Sequence, residues 1–270
     1  MFRKIHGVGN DFIIGKYQEG IDYSVLSQKI CERHTGVGAD GLLLVRMKNN
    51  IPYMEFYNSD GTLAPMCGNG IRCFAYYCLL EGIVSGDKFD IDTMSGVMHV
   101  EVTNKDPFTC KVCLGKACFS SEKLDLDTDS DTFLDQKLKL DSGEEVLVSA
   151  IFMTTHHLVV LVDDLDKAIK SNVAIELQRN KVFTKGINVN LVQVIDRKNV
   201  RMKTYERGAG WTLACGTGAS SAYVELRRKG LCDEEITINL EKGQIQISSI
   251  DDYIYMEGPA KEIARIEYID

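Results

Sequence analysis

The sequence predicts an α/β protein of two pseudo-symmetric domains, each a mainly antiparallel sheet wrapped around a central helix. Three observations predict it. A Cys-Gly-x-Gly motif occurs twice, in MCGNGIRC from Met66 and in ACGTGASS from Ala214, so that Cys67 and Cys215 lie 148 residues apart. The same offset relates Tyr57 to Tyr205, Gly82 to Gly230 and Asp40 to Asn188. Each motif opens a helical pattern that is followed by two short strand-like runs. One offset shared by so many positions marks two copies of one unit.

The elements follow in order. In the first half, GLLLV after Asp40 reads as a strand. Beyond Cys67, the residues Ile71, Phe74, Ala75, Cys78 and Leu79 recur at helical spacing, and Gly82 ends the pattern. KFDIDT and GVMHVEV then read as strands, VEVTN by its β-branched residues and TCKVCLG by its alternation. The polar stretch 120–143, rich in Asp, Ser and Lys, reads as solvated surface after the crossover between halves. In the second half, VNLVQV follows Asn188, and MKTYER precedes the second motif. Ala219, Ala222, Tyr223 and Leu226 repeat the helical spacing up to Gly230, and EITINL, GQIQISS and YIYMEG supply further strands.

A chain of 270 residues is long for one core and comfortable for two domains. With 44% hydrophobic and 26% charged residues it reads as soluble and globular. A net charge of -8 without a basic cluster argues against a nucleic-acid partner. No run reaches the ~18 apolar residues of a membrane span, so no membrane partner is expected. MFRKIHGVGNDF lacks the apolar stretch of a secretion signal. Nine cysteines are an odd count, and several sit in apolar helical patterns, which predicts a reduced, cytoplasmic protein.

Each Cys-Gly-x-Gly stands at a helix start, where unpaired backbone N–H groups and the positive end of the dipole face the thiol. That setting favours a thiolate. Glycines also let an anion such as a carboxylate approach the backbone. Two such sites, presented by related halves across a cleft, suit stereoinversion: one thiolate removes a proton from a carbon and the facing thiol protonates the other side. Two other readings of the pair stay open. One is a thiol redox protein in which Cys67 and Cys215 form a disulfide; the other is a binding protein that leaves its amino acid unchanged. Cys31, Cys73, Cys78 and Cys232 suit buried structural positions. CKVCLGKAC has one Cys-x-x-Cys but no second Cys/His pair at finger spacing, so no metal is expected. No Gly-x-Gly-x-x-Gly follows a strand, no Walker motif occurs and no lysine is singled out for a Schiff base, so no cofactor is expected either.

HGVGNDF from His6, GVGADGLLLV from Gly36, FYNSDG from Phe56, MCGNGIRC, YERGAGWTLACGTGAS and YMEGPA resemble the diaminopimelate epimerases in order and spacing along essentially the whole chain. The resemblance implies domains at 1–115 and 116–259, with the strand at 260–270 returning to the first. It further implies a homodimer, a small amino-acid substrate and inversion by two cysteines without pyridoxal phosphate. On it, Cys67 and Cys215 are the acid/base pair, with His157 assisting Cys67 and Glu206 assisting Cys215. Gly68, Asn69, Gly216 and Thr217 hold the α-carboxylate through backbone N–H groups, and Asn10, Asn58, Asn188 and Arg207 surround the substrate. The chain departs from the family at TTHH and RGAGWT. There Thr155 replaces an asparagine, His156 a proline and Trp211 a glutamate; Met66 also stands where the family has a polar residue. Loss of polar partners for a second amino-acid head disfavours diaminopimelate. An aromatic ring beside Thr155 and His156 suits a flat side chain, so the expected substrate is histidine, with diaminopimelate the alternative.

Overall fold

A computed structural model describes residues 1–269. The described residues divide into two compact units, one formed by residues 1–113 with 257–269 and the other by residues 114–256.

The first unit begins with β1 (Phe2–Gly7), β2 (Asn10–Lys16), α1 (Tyr23–Cys31), β3 (Gly41–Lys48), β4 (Ile51–Asn58) and the short β5 (Leu63–Ala64). Then come α2 (Gly68–Leu80), β6 (Lys88–Thr93), β7 (Gly96–Lys105) and β8 (Phe108–Lys116), within which the chain leaves the unit. β1 pairs antiparallel with β2, β2 parallel with β3, β3 antiparallel with β4, and β4 antiparallel with β5 and parallel with β6. β6–β7 and β7–β8 are antiparallel hairpins. A parallel pair needs a crossover, which α1 provides between β2 and β3; no position of the sequence repeat marks this helix.

The second unit adds β9 (Gln136–Lys139), β10 (Glu145–Met153), β11 (Thr155–Leu161), α3 (Leu165–Lys170), α4 (Val173–Gln178), β12 (Asn188–Val194), β13 (Asn199–Glu206) and β14 (Gly210–Thr212). It continues with α5 (Gly216–Arg228), β15 (Glu235–Leu240), β16 (Gly243–Ile250) and β17 (Tyr253–Pro259), in which the chain returns to the first unit. The final strand, β18 (Lys261–Ile266), lies antiparallel to β1. The pairings β10–β11, β11–β12, β12–β13, β13–β14, β13–β15 and β15–β16 repeat those of the first unit, strand for strand and sense for sense. Here α3 and α4 make the crossover. The twofold repeat of motif is therefore a twofold repeat of topology.

In each unit one helix is central. Between Gly68 and Cys78, only Tyr76 of α2 is not buried, and the helix packs on β1, β2 and β4. α5 is equally enclosed by β10, β11, β12 and β16, although its sequence is more polar. Its buried serines are satisfied locally: Ser220 and Ser221 donate to the carbonyls of Gly216 and Thr217, each at 3.0 Å. Buried Glu225 accepts from Ser149 at 2.9 Å and pairs with Arg228. The stretch 120–143 departs from a purely solvated segment, because Leu124 and Phe133 are buried in the second unit's core while Glu122, Asp127, Asp129 and Asp131 stay exposed. Each matched unit opens on a tight turn that puts a β-branched residue at positive φ, Val8 at 56° and Thr154 at 60°. Such a conformation costs about 1–2 kcal/mol and sets Asn10 and Thr155 at or beside the first residue of their strands. Among the described residues no helix is long and apolar enough to cross a membrane, and no cluster of side chains suits a metal ion.

Burial separates the cysteines into classes. Cys31 is pushed up to about 11 and Cys110 to about 12 by desolvation, and Cys73 and Cys78 higher still. Iodoacetamide applied to the native protein is therefore expected to spare Cys31, Cys73, Cys78, Cys110 and Cys232 and to label them only after denaturation. Peptide mass spectrometry showing two or more of these five modified in the native state contradicts the fold described.

Candidate active site

The head of α2 is built on a cysteine cap. Cys67 has extended backbone angles and its sulfur accepts the Gly70 N–H at 3.4 Å, in the position where a serine or aspartate oxygen commonly caps a helix. A Cβ at Gly70 would stand 3.2 Å from that of Cys67, so glycine lets the turn close on the thiol. Asn10, from the start of β2, turns its Oδ1 to Cys67 Sγ at 3.6 Å. Two neighbours fix this orientation. Asp40 accepts from Asn10 Nδ2 at 2.6 Å, which a flipped amide would replace by two facing oxygens. Asn69 Nδ2 donates to Asn10 Oδ1 at 3.2 Å, because Asn69 Oδ1 is taken by Arg72 at 3.0 Å. A proton on Cys67 thus has an acceptor waiting.

Charge stands behind this head. Arg72 is fully buried, with Nη1 donating to the Gly68 carbonyl at 3.2 Å and Nε to that of Pro259 at 3.4 Å. Burial pulls its pKa down, while the nearby thiols Cys73, Cys110 and Cys67 act the other way. Asp11 is buried next to Asn10; burial would raise its pKa, but hydrogen bonds from Arg33 and Lys4 outweigh this and hold it below the usual carboxylate range. Arg33 also bonds Asp40 at 2.7 Å, so one ion-pair network positions Asn10. Asn58 ends β4 and donates to Thr62 Oγ1 at 3.0 Å.

The head of α5 is dressed differently. Cys215 occupies the N-cap position of the helix and is buried. Its Sγ lies 3.7 Å from Thr217 Oγ1, and that hydroxyl lies 2.9 Å from His157 Nε2. His157, on β11, is fully buried, and desolvation, with a smaller contribution from His156, pushes its pKa down to about 3. It is neutral at neutral pH. Thr155 Oγ1 also meets Nε2 at 2.9 Å, and Asn188 Nδ2 donates to Thr155 at 3.4 Å. Asn188 Oδ1 accepts the Arg207 N–H at 2.9 Å, and Arg207 Nη1 reaches the Lys185 carbonyl at 2.5 Å. Glu206 accepts from Thr212 at 2.6 Å. Gly216, the first helical residue, has its carbonyl bonded by Ser220.

The second unit thus brings Thr155, His157, Asn188, Cys215 and Thr217 together, so within its own unit His157 is linked through Thr217 to Cys215, whereas the resemblance pairs His157 with Cys67 and Glu206 with Cys215. The other two substituted positions point elsewhere. Side chains alternate along a strand, and His156 lies on the opposite side of β11, 5.7 Å from the Phe152 ring and 3.6 Å from Asp125. Trp211 stands across from Tyr205, edge to face at 5.2 Å, and packs on the apolar core of its unit. Sequence reasoning missed Asn190, fully buried and bonded to both His157 and Thr204. Its signal was the spacing of Asn188 and Asn190, two residues apart on one strand face. Arg72, a charge inside the apolar helical pattern, was missed as well.

The family model described as diaminopimelate epimerase matches residues 2–119 and 149–263. A diaminopimelate epimerase of Caldanaerobacter subterraneus subsp. tengcongensis is 36% identical over 98% of this chain and 98% of its own length. Another, from Methanocella arvoryzae, is 38% identical over 97% and 94%. Among solved structures, a probable proline racemase from Agrobacterium radiobacter K84 superposes with a TM-score of 0.71 at 12% identity, covering 98% of this chain and 92% of that one. A hydroxyproline epimerase from Agrobacterium vitis gives 0.70 at 12% identity, with 97% and 90% covered. At such identities the solved structures attest the fold.

The neutral, buried His157 carries a stability signature. In the unfolded chain it takes a proton below about 6.5, whereas in the folded chain it resists until about 3. Stability is then full above 6.5 and is lost as pH falls through that window, because the unfolded state binds the extra proton. Urea unfolding between pH 7 and 4 is expected to show a steeper acid loss for the parent protein than for His157→Gln. Equal slopes contradict the assignment of a buried neutral imidazole.

Proposed function

The chain belongs to the diaminopimelate epimerase family, and on that premise we propose that it inverts the α-carbon of an amino acid with Cys67 and Cys215 as paired acid and base, needing no cofactor. The observation that carries this reading is the matched pair of helix heads: two units of one topology, each with a cysteine as cap and Gly-x-Gly behind it. Inversion needs one group to take a proton from one face of a carbon and another to supply one to the opposite face. One of the two sulfurs starts as thiolate and the other as thiol, and the roles exchange for the reverse reaction. The α-hydrogen of an amino acid is a very weak acid, so the developing negative charge requires preorganised donors. Backbone N–H groups of Gly68, Asn69, Gly216 and Thr217 fit that task at the two heads.

For the substrate, diaminopimelate is the reading better supported. Relatives that share a third or more of the residues over the whole chain bear that name. Asn10, Asn58, Asn188 and Arg207, which the family resemblance puts around the substrate, are all present. Histidine, expected from three substitutions, keeps the support of one of them, Thr155 beside His157. His156 and Trp211 are engaged with Asp125 and with Tyr205 instead.

Incubation with single enantiomers in deuterium oxide, under reducing conditions, tests both parts. The product is expected to carry α-deuterium, and retention of protium through inversion would sink the two-thiol mechanism. Either Cys67→Ser or Cys215→Ser is expected to lower turnover by about 10²-fold or more, the usual weight of a positioned acid or base. Faster turnover of histidine than of LL-diaminopimelate reverses the substrate choice. Turnover of an external dithiol with both enantiomers left unchanged favours the redox reading.

A further inference from the structure

Behind Cys215 lies a line of buried hydrogen bonds whose direction is fixed at its far end. Asn190 is fully buried on β12. Its Nδ2 is 3.0 Å from the Leu158 carbonyl, which only accepts, so this atom is the amide nitrogen and not the oxygen. Asn190 Oδ1 takes the Thr204 hydroxyl at 3.0 Å, which agrees with that orientation. The same Nδ2 lies 3.3 Å from His157 Nδ1. A proton on Nδ1 would face the amide hydrogens, so Nδ1 is the accepting nitrogen. His157 is neutral and carries one ring proton, which is therefore on Nε2.

Nε2–H then points at the two hydroxyl oxygens 2.9 Å away, those of Thr217 and Thr155. A threonine hydroxyl has one proton. With Nε2 donating, Thr217 Oγ1 accepts and its own proton is released toward Cys215 Sγ, 3.7 Å off. With the other tautomer, Nε2 would draw the Thr217 proton to itself and leave the sulfur facing an oxygen lone pair. Gly218 makes room for the arrangement, since a Cβ there would stand 2.2 Å from Asn190 Oδ1 and 3.2 Å from the sulfur.

We infer that Asn190 is a positioning residue for the reaction: by holding His157 as the Nε2–H tautomer, it turns the Thr217 hydroxyl into a hydrogen-bond donor to Cys215, which favours the thiolate. The inference rests on the proposed role of Cys215, but its first half does not depend on catalysis. The other head is dressed differently, with Asn10 Oδ1 as an acceptor for Cys67 and the Gly70 N–H as a donor to it.

Three readouts test it on the full-length protein. Long-range 1H–15N NMR, with the His157 signals assigned by their loss in His157→Gln, is expected to show the proton on Nε2. A proton on Nδ1 overturns the inference whatever the enzyme catalyses. Asn190→Ser, which removes the amide donor, is expected to mix the two tautomers, and an unchanged Nε2–H pattern overturns the role of Asn190. Iodoacetamide labelling of Cys215, followed by peptide mass spectrometry, is expected to slow by about ten-fold in Thr217→Val, the weight of one hydrogen bond to a charged acceptor. Thr217→Ser keeps the hydroxyl and is expected to restore the parent rate within about two-fold on the same reasoning. Equal labelling in all three proteins overturns the inference. In turnover, Thr217→Val is expected to lower kcat with little change in KM. A parent protein that inverts no amino acid refutes the proposed function, yet leaves the tautomer and labelling results to be read on their own.

Discussion

The first turn of a helix has backbone N–H groups with no partner inside the helix, and here two such turns are buried. The rest of the structure answers that constraint. Serine, aspartate or asparagine caps a helix end well, but both central helices start with cysteine, a weak acceptor. Under the proposed function a bound carboxylate would take up donors that a strong cap would satisfy internally, and the sulfur stands at the same helix head. Wrapping a sheet around each helix keeps its first turn out of bulk water, where such electrostatic effects are stronger.

Burial at the helix heads has required polar machinery on the inner side, and the two units solve the problem with different chemistry. The first uses full charges: Arg72 beneath the first turn, and Asp11, Arg33 and Asp40 around Asn10. The second uses neutral groups: His157, Asn190, Thr204 and the serines of α5. Each buried polar atom of this set has a partner, as a low-dielectric interior demands. Topology was conserved between the units while side chains diverged, and that divergence gives the two thiols different hydrogen-bond surroundings. A reaction whose two halves differ only in direction needs one thiolate and one thiol at any moment.

Much of the fold was legible because the repeat left its trace in spacing. The offset of 148 residues paired the motifs, the helix-ending glycines and the strands around them, and the structure shows the same pairing order in both units. The crossover helices α1, α3 and α4 were not read, since they are short and no motif marks them. The sequence could also name Thr155, His156 and Trp211 as unusual without telling their directions. Strand alternation and cross-strand packing decide those, and they turn His156 and Trp211 toward Asp125 and Tyr205.

By itself the sequence determined the two helix heads and the cysteines that cap them, because a cap motif and a helical period are local and depend on neighbours within a few residues. Only the tertiary structure decided which distant side chain meets each thiol. Asn10 reaches Cys67 from 57 residues away, and His157 reaches Thr217 from 60. Hydrogen-bond direction belongs to the same level. The orientation of an amide or an imidazole is set by the atoms that surround it in space, and no spacing along the chain records them.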